Sequence, residues 1–181
     1  MLVTVSPDGA LLDRRRLELL DSGLSSFPHH HEGSWAVGRY LNLAGERRPS
    51  LAEAVALVER VRACAMRCAR QGLEALAAAV PVPIASLALR TCPPIPKTIE
   101  DCIADERAQT VADTVMYRRA LAAAAEARGW AVHWYHRERV LQDATDAVRA
   151  MGKSVGRPWN ADHKLAAAAA LASRAHGMAR R

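Results

Sequence analysis

A chain of 181 residues, half of them hydrophobic, is long enough for one well-buried core and short for two. No apolar run approaches the roughly 18–20 residues that cross a bilayer. The start, Met1-Leu-Val-Thr-Val-Ser-Pro7, lacks a basic segment followed by an apolar core, so the expectation is a soluble cytoplasmic protein with no membrane partner.

Met1–Val5 alternates as a first strand, and Ser6-Pro-Asp-Gly9 is a turn signal. Residues 11–20 return as the second strand of a hairpin, although Leu12, Arg16, Leu19 and Leu20 also share a helical face. Asp21 to Gly33 reads as a loop, and Ser34–Leu43 as a third strand through Trp35, Val37 and Tyr40. Ser50 with Glu53 makes an S-x-x-E capping box, which opens a helix to about Ala79. Leu51, Val55, Val58, Ala65 and Leu73 are its core-facing candidates, Gly72 is a weak point, and Pro81 and Pro83 stop it.

Ile84–Arg90 is a short apolar strand followed by a loop with Pro93, Pro94 and Pro96. Thr98 and Asp101 cap a helix that lasts until Gly129, with Ile99, Ile103, Val111, Met116 and Leu121 inward, and Trp130–Tyr135 returns as a strand. A crossover of this length joins parallel strands. A helix over Arg139–Met151, a loop over Gly152–Trp159 and an Ala-rich helix from Asn160 complete the chain, fraying into the basic tail Arg174–Arg181. These elements predict a single α/β domain over residues 1–181. Its mixed sheet sets an N-terminal antiparallel hairpin or meander beside parallel strands joined by long helices.

The net charge of +6, from 25 basic and 19 acidic residues, raises nucleic acid as a partner. The basic residues are nearly all arginine and spread along the chain, as a compositional bias would leave them. One Phe and three Tyr do not furnish a broad stacking platform for single strands. Cys64 and Cys68 are spaced i,i+4 on a helix, and Cys92 and Cys102 flank the proline loop and the next helix. Without a CxxC pair they read as small, reduced packing thiols, with a Cys64–Cys68 metal or redox site as the alternative.

Three constellations can carry chemistry. His29-His30-His31-Glu32 offers imidazole and carboxylate ligands for zinc, manganese or iron. Consecutive side chains of an extended loop point in opposite directions, so at most two of the three histidines converge; His29, His31 and Glu32 are the candidate ligands, and the blander reading is a polar surface loop. Glu106, Gln109 and Asp113 share a helix face with Tyr117 beside them. That face could line a cleft near Arg90, but a solvated face with local ion pairs is the preferred reading. Arg157-Pro-Trp-Asn-Ala-Asp162-His163 precedes or opens the last helix, where a helix N-terminus beside Arg157 suits a phosphate. The plain alternative is a Trp159 core anchor with Asp162 complementing the dipole.

The element order, the opening Leu2-Val-Thr-Val-Ser-Pro-Asp-Gly9 and the closing helix Asp162–His176 resemble the ribonuclease H-like fold, in particular its Holliday-junction resolvase (RuvC-like) branch. The resemblance implies two-metal phosphodiester hydrolysis, with carboxylates holding Mg or Mn about 4 Å apart. It places Ser6 where the family has its first-strand aspartate, with Asp8 two residues on, and Arg90 where another acid belongs. Asp162 remains in position, with His163 as its neighbour, and Arg90 and Arg157 would contact phosphate. The implied function is a ribonuclease H-like protein that binds or hydrolyses nucleic acid through an altered or lost metal site. Two alternatives stand beside it. One is a scaffold whose helices 50–79 and 98–128 pack against another subunit, as in a homo-oligomer. The other is a histidine-metal enzyme centred on His29–Glu32.

Overall fold

A computed structural model of the chain describes residues 1–39 and 47–178. The fold is mixed α/β and divides into two compact units. A sheet unit comprises Met1–Leu17, Arg70–Thr91 and Ala122–Arg181; a helical unit comprises Glu18–Ala69 and Cys92–Leu121. Two long helices, α2 (Leu51–Ala79) and α4 (Glu106–Glu126), contribute residues to both.

In the sheet unit, β1 (Leu2–Val5) pairs antiparallel with β2 (Leu11–Arg15), Leu2 opposite Arg15. The turn between them closes through Ser6 N–H to Ala10 O and Gly9 N–H to Ser6 O, both 2.9 Å. Gly9 sits at φ +94°, a conformation that a side chain disfavours. A second sheet pairs β3 (Ser86–Arg90) parallel with β4 (Ala131–Tyr135), in register from Ser86–Ala131 to Arg90–Tyr135. The chain reaches β4 from α4 through Gly129 at φ +76°. Gly129 N–H bonds Glu126 O and Trp130 N–H bonds Ala125 O, a Schellman closure of the helix.

Three helices follow: α5 (Arg137–Asp143), α6 (Thr145–Val155) and α7 (Ala161–Met178). α7 packs on β1, β3, α5 and α6. Its alanines make this close approach possible, since Ala167 and Ala168 are wholly buried. They form one apolar cluster with Val140, Val148 and Met151, ringed by Val3, Val5, Leu11, Tyr135 and Trp159.

The helical unit holds a single π-helical turn over His29–Gly33, the short α1 (Ser34–Ala36), α2 as far as Ala69, α3 (Ile99–Ala104) and α4 as far as Leu121. Val58, Val61 and Met116 form its apolar cluster, against which Leu20, Leu24, Leu57 and Ile99 pack. The capping box at α2 is present: Ser50 N–H donates to Glu53 Oε2 at 2.7 Å and Glu53 N–H to Ser50 Oγ at 3.2 Å. At α3, Thr98 Oγ1 accepts the Asp101 N–H at 3.0 Å.

Several expectations are corrected. The strands form two separate two-stranded sheets rather than one mixed sheet. The second strand spans only Leu11–Arg15 of residues 11–20. The expected third strand at Ser34–Leu43 begins as helix instead, because Ser34–Ala36 continue the π-turn before them; its part from Tyr40 lies outside the described residues.

The helix expected from Thr98 to Gly129 is broken at Asp105, whose backbone is extended (φ −87°, ψ 116°). Its carboxylate accepts the N–H groups of Arg107 and Ala108 at 2.8 and 2.9 Å and so starts α4 afresh. The helix expected over Arg139–Met151 begins at Arg137 and divides at Ala144. α7 stays helical to Met178 through the start of the expected frayed tail, whose last residues, 179–181, lie outside the described part.

Candidate functional site

The most concentrated buried polar group belongs to the helical unit. Asp113 on α4 is 2% exposed, and His29, the first residue of the π-turn, is 4% exposed. Asp113 Oδ1 accepts the His29 backbone N–H at 3.1 Å and lies 2.7 Å from His29 Nδ1, while Oδ2 accepts the His30 N–H at 3.1 Å. The first backbone donors of a helical turn have no partner within it, and here an aspartate from 84 positions along the chain supplies one. A carboxylate oxygen at that distance accepts from Nδ1–H, and this contact fixes the orientation of the His29 ring.

The solvated face expected on this helix is thus corrected: Gln109 and Asp113 are buried at 1% and 2% exposure, although Asp105 and Glu106 are exposed. Gln109 Oε1 accepts from Arg39 Nη1 at 2.9 Å, and the same guanidinium donates to the Ile103 carbonyl at 2.8 Å and to Ala104 O. Arg39 therefore caps the C-terminal end of α3, where a cation is favoured. Tyr117 donates its hydroxyl to Ser26 O at 2.8 Å, and burial pushes its pKa up.

The other proposed ligands of this loop do not gather around His29. His31 is exposed, stacked on Trp35 with centroids 6.3 Å apart, and Glu32 accepts from Ser25 Oγ at 2.9 Å. Among the described residues, one group of three or more His, Cys, Asp or Glu side chains has converging ligand atoms: Asp21, Cys64 and Cys68, within 4.8 Å of one another. The spacing of Cys64 and Cys68 was legible in sequence; nothing local to Asp21 marked it as their neighbour.

In the sheet unit, Ser6 is buried and its hydroxyl donates to Asp8 while accepting the Ala10 N–H at 3.0 Å. That hydroxyl, with the local backbone N–H groups, holds the exposed Asp8 carboxyl below its ordinary value. At the start of α7, Asn160 Oδ1 accepts the N–H groups of Asp162 and His163, each at 3.1 Å. The His163 ring lies 2.7 Å from the same oxygen through Nδ1, and its centroid is 5.5 Å from Trp159. His163 is buried by these local contacts, whereas Asp162 is exposed in the first turn. Trp159 packs on the apolar cluster, as the core-anchor reading expected. Arg90, at the end of β3, and Arg157, before α7, are both exposed.

No described helix is long and apolar enough to cross a membrane. No family model, no curated protein and no solved structure matches this chain.

Proposed function

We propose that the chain is a nucleic-acid-binding protein of ribonuclease H-like type, with its binding surface on the sheet unit and its metal chemistry altered or lost. The carrying observation is the distribution of charge. The sheet unit holds 15 Lys and Arg against 8 Asp and Glu, a net +7, and the helical unit 10 against 11, a net −1. Basic residues are similarly dense in both units, so compositional bias accounts for the arginine. It does not account for the thinning of acids in one unit, which is what an anionic partner favours.

Arg90, Arg137, Arg139, Lys153, Arg157 and Lys164 are exposed there, with no acidic partner among the described residues. Binding is favoured over cutting because neither Asp8 nor Asp162 belongs to a group of converging ligands among those residues. The scaffold alternative asked for an exposed apolar stripe on α2 or α4. Of the large exposed apolar side chains described, only Leu51 lies on either helix.

Fluorescence anisotropy with labelled duplex DNA, duplex RNA and branched DNA tests this reading across a salt series. Affinity should fall as salt rises, with a log–log slope of about −0.9 per duplex DNA phosphate neutralised. Arg90→Glu and Arg157→Glu should each weaken binding and flatten that slope. Absence of binding at low salt, or binding indifferent to salt, would refute it. Cleavage with Mg²⁺ or Mn²⁺ that disappears in Asp162→Ala would replace binding by hydrolysis.

A further inference from the structure

We infer that Asp21, Cys64 and Cys68 form a binding site for a single thiophilic divalent cation of the zinc class. Cys64 and Cys68 lie one turn apart on α2, so both sulfurs emerge on one side of the helix. Asp21 is brought to them by its flanking loop, in which Leu20 and Leu24 pack on the cluster of Val58 and Val61, also on α2. The Asp21 backbone N–H points at Cys64 Sγ, 3.4 Å away, as donors that steady a metal-bound thiolate do.

The spacing fits an ion. Tetrahedral coordination with bonds of about 2.3 Å to sulfur and about 2.0 Å to oxygen needs sulfurs about 3.8 Å apart and sulfur and oxygen about 3.5 Å apart. Cys64 Sγ and Cys68 Sγ are 3.9 Å apart, and Cys68 Sγ is 3.8 Å from Asp21 Oδ1. Two thiolates and one carboxylate select zinc over Mg or Mn, which prefer oxygen alone. The fourth position is open to water or to a further ligand.

A cationic group already stands at this place. The Arg67 guanidinium is ion-paired to Asp21 and lies 3.3 Å from Cys64 Sγ, on a side chain half exposed to solvent. It can swing outward as an ion enters. Zinc binds cysteine as the thiolate, so thiol protons leave for the buffer as the ion enters.

The test is titration of the reduced full chain with Zn²⁺ against a chromophoric chelator, and with Co²⁺ to read the tetrahedral thiolate spectrum. One ion per chain is expected. Cys68→Ser should weaken it at least tenfold and diminish the cobalt thiolate band, leaving only the contribution of Cys64, and Asp21→Asn should weaken it less. Arg67→Ala leaves all three ligands in place and removes the competing cation, so it should bind several-fold more tightly. That variant keeps the test decisive if Cys68→Ser misfolds. No stoichiometric binding by the reduced chain would overturn the inference, as would binding that Cys68→Ser leaves unchanged. So would a Cys64–Cys68 disulfide forming on mild oxidation in a chain that takes up no ion when reduced.

Discussion

Replacing Asp113 with alanine should be among the most destabilising single changes in the helical unit. The carboxylate is 2% exposed and receives three donors: the His29 and His30 backbone N–H groups and the His29 imidazole. Each buried donor left without a partner costs about 1–3 kcal/mol. The donors are adjacent, so their losses do not simply add, and the total should be about 2–5 kcal/mol. Asp113→Asn keeps an acceptor at Oδ1 and sets an amide donor against the His30 N–H, so it should cost less, about 1–3 kcal/mol.

Urea denaturation followed by tryptophan fluorescence gives these differences by linear extrapolation, with the slope unchanged if the unfolded state is unaffected. A double cycle with His29→Ala should return a coupling of about 0.5–3 kcal/mol. An Asp113→Ala protein within about 0.5 kcal/mol of wild type, the range of ordinary surface changes, would refute the claim that this carboxylate holds the π-turn to α4.

Gly152→Ala inverts a familiar rule. Alanine inside a helix is normally favoured over glycine by about 1 kcal/mol, but a Cβ here would lie 2.5 Å from both Cδ1 and Nε1 of Trp159. An indole cannot bend away, so the variant should lose about 1–3 kcal/mol and melt lower in a calorimetric scan; an unchanged Tm would contradict the packing. Acid stability probes Glu53. Its hydrogen bond from Arg47, joined by bonds from Ser50, lowers its carboxyl from 4.5 to about 2. A depressed folded pKa contributes stability that is present above 4.5 and is lost as pH falls towards 2. Glu53→Gln should flatten the pH dependence of helix content across that window, and identical acid titrations for variant and wild type would count against the capping box.

What could be read from the sequence follows from how local each interaction is. The hairpin turn was legible because Ser6, Asp8 and Gly9 make their bonds within the turn itself. The helix starts at Ser50 and Thr98 were legible for the same reason, since each cap closes three residues on. The crossover gave the parallel pairing of β3 with β4 from its length and its glycine stop.

The break at Asp105 was written in the residue type, because an aspartate suits an N-cap as well as a first-turn position. An uninterrupted helical period concealed it. The burial of Gln109 and Asp113 was not legible locally. Their partners, Arg39 and His29, lie 70 and 84 positions away, and the same residues would make a normal solvated face without them. Trp35 and Val37 alternate as in a strand, but the π-turn that begins at His29 carries the chain into helix before that alternation can be used.

The division of residue types between the units separates the two functional ideas. All four cysteines and the three consecutive histidines belong to the helical unit, whose charge nearly cancels. Ser6, Asp8, Arg90, Arg157, Asp162 and His163, every position named by the nuclease resemblance, belong to the basic sheet unit. The most buried of these, Ser6 and His163, already have their hydrogen bonds made by neighbours in sequence, Ala10 and Asn160. An exposed arginine without an acid beside it keeps its charge for a phosphate. The thiol pair has the reverse character: it has no strong hydrogen bond to lose and a nearby arginine it can exchange for an ion. Charge reversal at Arg90 and Arg157 should leave zinc affinity unchanged, and Cys68→Ser should leave the salt slope of nucleic-acid binding unchanged. Either cross-effect would count against assigning the two chemistries to these separate sets of residues.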